Sequence, residues 1–437
     1  MPKLRPLRFA TFRRLAAGYW VNEFGNWMGE IALAILVWDR TGSPLATAAL
    51  FLALRLLPSL LAPLLTTRIE MLRPRFVLAS LYLLEAVFFI WMALLTRHFS
   101  FAALLILCSL DGMLAITAKA LTRGISATWL IRRDLLREGN AILNLGVMVS
   151  SALGPVLAGA VVAWKGASTA LMIDAATFLA TAAIVGTASG LVVESEREAQ
   201  FRGRVRAGVD VLRSYVAVRR LLFAIAAVML LGSIAVPIEV VFAKQTLHAG
   251  DRGYGLLLGA WGVGMIVGGS GFAMAAHVRL MRLLGAGTLL AVIGYAGLAT
   301  SPTLAVACVF SAIGGTGNGA GWIAAVTAVQ ERIPVSTQSA VMAVLEGINQ
   351  VMPATGFIAG GAVTALTSPR DAYAVSAAGM ALVILAVALR PIDRIHLSQV
   401  ESDHADIRAR AATMHGDASR GAQEPAAPER TLTVTSG

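Results

Sequence analysis

Long apolar segments recur along the whole sequence and alternate with short polar ones. An α-helix needs about 20 apolar residues to cross the hydrocarbon layer of a membrane. Twelve segments approach or reach this length, so the pattern predicts an all-α membrane protein with twelve transmembrane helices. The predicted spans cover residues 15–38, 45–66, 75–96, 99–121, 140–163, 167–192, 220–243, 253–276, 282–300, 302–326, 338–365 and 371–390.

The longest polar stretch before the C-terminal region divides the predicted spans into six and six. We therefore predict an N-terminal six-helix bundle, a cytoplasmic central loop, a C-terminal six-helix bundle and a disordered cytoplasmic tail, over residues 1–192, 193–219, 220–392 and 393–437 respectively. A shift of 202 residues aligns GPVLAG at 154–159 with GFIAGG at 356–361. Such a repeat, although weak, is typical of transporters built from two related bundles.

The distribution of charge predicts the orientation of the chain. A formal net charge of +11 could indicate a nucleic-acid partner, but 57% of the residues are apolar and the mean hydropathy is +0.73. The basic residues concentrate in the N-terminal arm and in alternate loops, near residues 68–75, 123–137 and 197–213. The positive-inside rule places these segments in the cytoplasm. We therefore predict a multi-pass plasma (inner) membrane protein with both termini cytoplasmic and no nucleic-acid partner.

Motifs for cofactor or nucleotide chemistry were sought in the sequence. No GxxxxGK[ST] phosphate loop or HExxH zinc motif occurs, and GGTGNGAG at 314–321 lies in a predicted span rather than after a strand. The two cysteines, Cys108 and Cys308, fall in separate spans and predict neither a disulfide nor a metal site. We therefore expect a protein that is not an enzyme, needs no cofactor and is not driven by ATP.

The first span carries two carboxylates. Glu23 and Glu30 are seven residues apart, so on an α-helix they lie about 20° apart on one face and roughly 10 Å apart along it. Asn26 falls between them on the same stripe. Intramembrane carboxylates usually mark a water-filled cavity or an ion path. Proton or substrate handling is therefore one interpretation, and hydrogen bonding between helices is the other.

Further ionisable residues lie inside the predicted spans, although each costs roughly 3 kcal/mol at the membrane centre. These residues are Arg55, Glu85, Asp111, Asp174, Glu239 and Glu346. Lys119 is closer to a span end, where its side chain can reach the interface. Because Arg55 is the one clearly interior base, we expect it to pair with one of the acids. Desolvation favours the neutral form of an unpaired carboxyl, which suits a group that takes up and releases a proton.

Several segments together resemble the major facilitator superfamily, and within it the bacterial exporter-like branch of drug and siderophore efflux proteins. The resemblance runs from about residue 10 to 395 and is carried by residues 38–50, 137–162, 171–180, 241–269 and 314–334. It implies two six-helix halves that alternate access to one site. It also implies that helices 1, 4, 7 and 10 line the cavity, which ranks Glu23, Glu30, Asp111 and Glu239 first among the acids.

Two motifs bear on conformational change. Gly154, Pro155 and Gly159 resemble the glycine and proline motif of antiporters in this superfamily, although a purely structural kink is an alternative interpretation. In the loop between helices 2 and 3, Glu70 stands where the family has aspartate and Thr66 where it has glycine.

We therefore predict a secondary active transporter that exports small amphipathic or cationic molecules in exchange for protons. Its expected partners are a small-molecule substrate, protons and the lipid bilayer, and we expect a monomer. The candidate residues for proton or substrate binding are Glu23, Asn26, Glu30, Arg55, Asp111 and Glu346. An importer or facilitator of the same fold, or a lipid-moving or sensor protein, remains the alternative.

Overall fold

A computed structural model describes residues 2–69, 74–187, 216–275, 278–333 and 335–389. Within these ranges the chain forms twelve long helices, which confirms the predicted all-helical architecture. Their bounds are α1 Ala10–Thr41, α2 Pro44–Ile69, α3 Pro74–Leu95, α4 Phe101–Ile131, α5 Leu136–Lys165, α6 Ala167–Gly186, α7 Val216–Ser233, α8 Gly250–Met274, α9 Leu280–Thr300, α10 Leu304–Gln330, α11 Val335–Leu366 and α12 Pro369–Leu389.

Ten helical segments are, over the described residues, long and apolar enough to cross a membrane. A further apolar stretch of α2, Pro44–Leu60, is shorter. Helix α1 has the length but is less apolar, because Asn22 and Asn26 add to the two carboxylates already noted on it.

Several helices extend beyond the predicted spans. Helix α4, predicted to end at residue 121, continues to Ile131. Its extension packs Trp129 against Phe9 and Phe12, with ring centroids 5.3 and 5.8 Å apart. The length of an apolar run reflects the thickness of the lipid layer. A helix can continue beyond that run where backbone hydrogen bonds and side-chain contacts stabilise it, as α4 does.

One end of the bundle is marked by the turn between α1 and α2, and we call it the Gly42 end. Gly42 has a φ of 60°, the left-handed conformation that glycine adopts readily, and its N–H donates to the Trp38 carbonyl at 2.8 Å. Arginines fix neighbouring turns at this end: Arg40 donates to the Thr96 carbonyl at 2.6 Å, and Arg370 donates to the Ser301 carbonyl at 2.7 Å.

Helices α1–α6 and α7–α12 form two halves that meet along two helix pairs, α5 with α8 and α2 with α11. Both seams depend on glycine. A Cβ atom on Gly159 would lie 3.1 Å from the Cα of Gly255 on α8. A Cβ atom on Gly361 of α11 would lie 2.8 Å from the Cβ of Ala48 on α2. The halves therefore approach nearly to backbone contact, as small residues permit between membrane helices.

The seventh span is not a continuous α-helix. After Ser233 it passes through a 3₁₀ turn at Val236–Ile238, a short α-helical turn at Glu239–Val241 and a π-helical turn at Phe242–Thr246. Pro237 lacks the N–H that an α-helix would need there. Irregular turns of this kind often occur at functional sites. Here the break precedes Glu239 directly.

Some predictions fall on segments beyond the described residues. Glu70, most of the predicted central loop and the predicted tail lie there. Helix α6, predicted to reach residue 192, ends at Gly186 and is followed by one further described residue, Thr187.

Candidate functional site

A cavity of about 470 Å³ lies between the two halves. Helices α1 and α2 line it from one half, and α7 to α12 line it from the other. Its lining is mainly aliphatic and includes six aromatic residues, which are Trp27, Phe51, Tyr254, Trp261, Tyr295 and Trp322. Asn318 and Asn349 add amide groups. The size and lining fit an organic molecule with a large apolar surface.

Glu30 and Arg55 form an ion pair in the wall of this cavity. One guanidinium nitrogen of Arg55, Nη2, lies 2.8 Å from each carboxylate oxygen of Glu30. The Arg55 side chain is half exposed and that of Glu30 is 25% exposed, so both reach the cavity. The structure thus gives Arg55 an acidic partner, as the sequence led us to expect.

Glu239 also lines the cavity, from the broken seventh span. Within the described part of the chain it has no hydrogen bond from its side chain and no ion pair. Tyr254, Tyr295 and Tyr373 all lie within electrostatic range of its carboxylate, and so does Glu30. Glu239 is therefore an acid without a basic partner among the described residues, in an aromatic environment and near the paired acid Glu30.

Glu23 lies outside the cavity lining and has a different partner. Lys119 of α4 places Nζ 2.6 Å from Glu23 Oε1, and the Glu23 side chain is only 5% exposed. Arg123, one turn further along α4, donates to the Tyr19 hydroxyl at 3.0 Å. The sequence did not predict this pair, in which the Lys119 side chain, 44% exposed, reaches a buried carboxylate on α1.

Asp111 is buried and does not reach the cavity, although it lies on one of the helices expected to line it. The reason is the packing of α2 on α4. Gly112 of α4 has no side chain, so α2 can approach closely at this point. A Cβ atom added to Gly112 would lie 2.6 Å from both the Leu54 carbonyl oxygen and Pro58 Cγ. Helix α2 thereby lies beside this face of α4, and α2 itself presents Phe51 and Arg55 to the cavity.

Three carboxyls are enclosed within the N-terminal half instead. Glu85, Asp111 and Asp174 are each no more than 5% exposed, and they interact electrostatically with one another. The Thr177 hydroxyl donates to Asp174 Oδ1 at 3.0 Å. Asp174 also packs against α1 at Gly25, where the absence of a side chain leaves room for it. This packing favours a structural role for Asp174.

Asn26 and Glu346 are the remaining candidates, and neither belongs to the described cavity lining. Asn26 is half-buried on α1. Glu346 is exposed on α11 and accepts a hydrogen bond from Gln350 at 2.8 Å. Asn349, three residues along α11, reaches the cavity in its place.

The residues of the glycine and proline motif of α5 contact two different helices, α1 and α8. Gly154 faces α1, where an added Cβ would lie 2.6 Å from Trp27 Cβ. The carbonyl of Pro155 and the α-carbon of Gly159 face Gly255 of α8 in the other half. The seam between the halves therefore depends on Pro155 and Gly159, whereas Gly154 positions a cavity-lining tryptophan.

Ion pairs join the two halves at the Gly42 end. Lys244 Nζ, on the π-helical turn, lies 2.5 Å from Asp39 Oδ1 of α1 and 2.5 Å from Asp251 Oδ1 of α8. Lys244 thus bridges a carboxylate of the N-terminal half and one of its own half. Sequence reasoning missed this bridge because it needs the positions of three separate segments.

The chain belongs to the transmembrane secretion effector family, whose sequence model matches residues 1–421. No curated protein sequence matches it. Its fold is that of major facilitator transporters. It is similar to the nucleoside transporter NupG at 14% identity and a TM-score of 0.69, covering 87% of this chain and 99% of that one.

Two further solved structures share the fold. A bacterial homologue of the iron transporter ferroportin, in an inward-facing state, matches at 15% identity and a TM-score of 0.67, covering 88% of this chain and 99% of that one. A bacterial homologue of the human lysosomal transporter Spinster, inward-facing and occupied, matches at 13% identity and 0.64, covering 88% and 94%. These structures show the shared fold, and the family match together with the apolar helices makes the protein a multi-pass membrane transporter.

Proposed function

We propose that this transporter exports small amphipathic molecules from the cytoplasm in exchange for protons, by alternating access. The observation that carries the proposal is the cavity between the halves, in which the Glu30–Arg55 pair faces the unpaired Glu239. Inside a largely apolar cavity, a carboxylate such as Glu30 can be neutralised either by a base or by a proton. The protonation of Glu30 therefore depends on whether Arg55 and water are close to it.

The proposed coupling step takes place at Glu30. In the deprotonated state its carboxylate is neutralised by Arg55. A proton that enters from outside converts Glu30 to the neutral acid and leaves the Arg55 guanidinium charged and unpaired. The change places a positive charge beside the substrate space, which disfavours a cationic substrate and promotes its release.

The Gly42 end bears on the direction of transport. With the predicted topology this end faces the outside of the cell, so the Lys244 bridge and the two glycine seams hold the outer side shut. A cavity in this state would load from the cytoplasm. Opening the outer side would require separation of Lys244 from Asp39, because the two residues belong to opposite halves.

The test uses inverted membrane vesicles from cells that express the full chain, with vesicles from vector-only cells as the control. Acidifying the lumen should make the vesicles accumulate ethidium, and nigericin, which collapses the pH gradient, should release it. Accumulation that ignores nigericin would contradict proton exchange. Ethidium that leaves the lumen together with protons would identify an importer of the same fold instead.

A further inference from the structure

The charges in the cavity wall do not balance. Among the described lining residues only Glu30, Arg55 and Glu239 have carboxyl or basic side chains. When both carboxyls are deprotonated, two carboxylates and one guanidinium leave one negative charge in a mostly apolar cavity. Because Glu30 binds Arg55 through both of its oxygens, Glu239 is the carboxyl left without a basic partner among these residues.

The surroundings of Glu239 suit a cation with a flat apolar body. Trp261 lies against Tyr295 with ring centroids 5.6 Å apart, and Tyr295 stacks on Tyr373 at 6.0 Å. The Tyr295 hydroxyl donates to the Gly232 carbonyl at 3.1 Å, which fixes the ring. Tyr373 is fully buried, and within the described chain its hydroxyl has no hydrogen-bond partner. Aromatic faces attract cations, most strongly where water is excluded.

We propose that Glu239 is the specificity-determining residue of this cavity and that it selects organic monocations with an aromatic or otherwise apolar body. The inference rests on the proposed function for its setting, and it names the substrate class of the same site. One positive charge neutralises the lining with Glu239 deprotonated. A neutral molecule leaves the Glu239 carboxyl protonated and gains no ion pair from it, and a dication brings a second charge for which the lining has no partner.

The alternative is that Glu239 has a structural role. A buried structural carboxylate normally accepts hydrogen bonds or pairs with a base, and Glu239 does neither among the described residues. Glu85 on α3 provides a matched comparison, since it is a buried glutamate outside the lining whose carboxyl oxygens also have no hydrogen-bond partner among the described residues. A variant at position 85 therefore controls for loss of an unpaired membrane-span carboxyl in general.

The experiment measures equilibrium binding to the purified, detergent-solubilised full chain by dialysis, with protein-free micelles as the blank. Three probes share one phenanthridine skeleton. Dihydroethidium, whose central ring is reduced, is neutral, ethidium carries one positive charge, and propidium carries a second on an added ammonium chain. We expect ethidium to bind at least tenfold tighter than either of the others. Equal binding of the three, or tightest binding of propidium, would overturn the inference.

The variants then locate the selection. Glu239→Gln should remove the preference for ethidium over dihydroethidium, Glu239→Asp should retain it, and Glu85→Gln should leave it unchanged. Thermal unfolding of each variant shows that the fold is intact. A Glu239→Gln protein that is folded and still prefers ethidium would refute the assignment. Because binding is measured without a gradient, failure of proton coupling would leave this result standing, and the reverse also holds.

Discussion

Gly159 and Gly361 are equivalent positions of the internal repeat, 202 residues apart, and each faces the opposite half of the transporter. Gly159 contacts α8, and Gly361 contacts α2. The weak sequence repeat around these residues therefore marks two places where the halves are in close contact. Both seams require the absence of a side chain.

We predict that Gly159→Leu reduces transport by more than tenfold. A Cβ atom there would lie 2.5 Å from the Asp251 carbonyl oxygen, so a leucine must force α5 and α8 apart. Gly347→Leu is the matched control, because a Cβ atom at Gly347 has no neighbour within 4 Å. Initial rates of ethidium export from cells, at matched expression, measure the effect. A parent-like rate in Gly159→Leu would contradict the seam as a requirement for transport.

The second prediction concerns the Lys244 bridge. Lys244→Met leaves Asp39 and Asp251 without their shared cation and should open the Gly42 end more often. A partly exposed ion pair contributes ~1 kcal/mol, so we expect about fivefold faster external labelling of a cavity cysteine. The cysteine is Ser233→Cys, in a background with Cys108→Ala and Cys308→Ala. Arg252→Met, which removes a neighbouring exposed cation, should not change the labelling rate.

The third prediction separates the two acids of α1. Glu30→Gln keeps size and hydrogen bonding but removes the titrating group. It should abolish accumulation against a gradient, while downhill exchange continues at a lower rate because the unpaired Arg55 weakens binding of a cation. Glu23→Gln lies outside the cavity lining and should retain most of the accumulation. Vesicle uptake across a series of lumenal pH values measures both. If both variants and the double variant keep normal pH dependence, coupling lies elsewhere and Asp111 is the next residue to test.

The fourth prediction is electroneutral exchange. If one monocation leaves for each proton that enters, no net charge crosses the membrane. Steady-state accumulation should then rise about tenfold per unit of pH gradient and remain constant when valinomycin and potassium set the membrane potential. Movement of one net charge per cycle would instead change accumulation by about fiftyfold per 100 mV. That response would exclude a one-to-one exchange of monocation and proton.

The fifth prediction concerns topology. Cysteines introduced as Ala199→Cys and Ser419→Cys should resist an impermeant thiol reagent in intact cells, because both positions are predicted to be cytoplasmic. Thr367→Cys, in the exposed turn at the Gly42 end, should react. Labelling of either of the first two positions, with Thr367→Cys protected, would invert the orientation and the direction of transport we propose.

The sequence predicted the helices well because spanning length is a local property. An apolar run long enough to cross the lipid can be recognised without knowing its neighbours. A helix end such as Ile131 was misplaced because the helix continues beyond its apolar run. The pairing of Arg55 with an acid could likewise be expected, since a lone interior base needs a partner.

The position of each polar residue around the bundle could not be predicted in the same way. Asp111 is excluded from the cavity because α2 packs against α4 at Gly112. Lys119 of α4 pairs with Glu23 of α1. Both depend on how helices rotate and pack. The cavity location of Glu239 had a local signal, the proline two residues before it, which indicates a break in a helix where a side chain can turn inward.

The broken seventh span carries Glu239 in its irregular part and Lys244 five residues later. A large ligand that displaces the backbone at Glu239 would therefore also displace Lys244 and its ion pair with Asp39. The two residues are connected directly through the main chain. Oversized analogues of a substrate, able to enter beside Glu239 but too bulky to let the π-helical turn move, should therefore act as inhibitors that lock the transporter. Chemical libraries built by enlarging weak substrates are a rational source of such compounds.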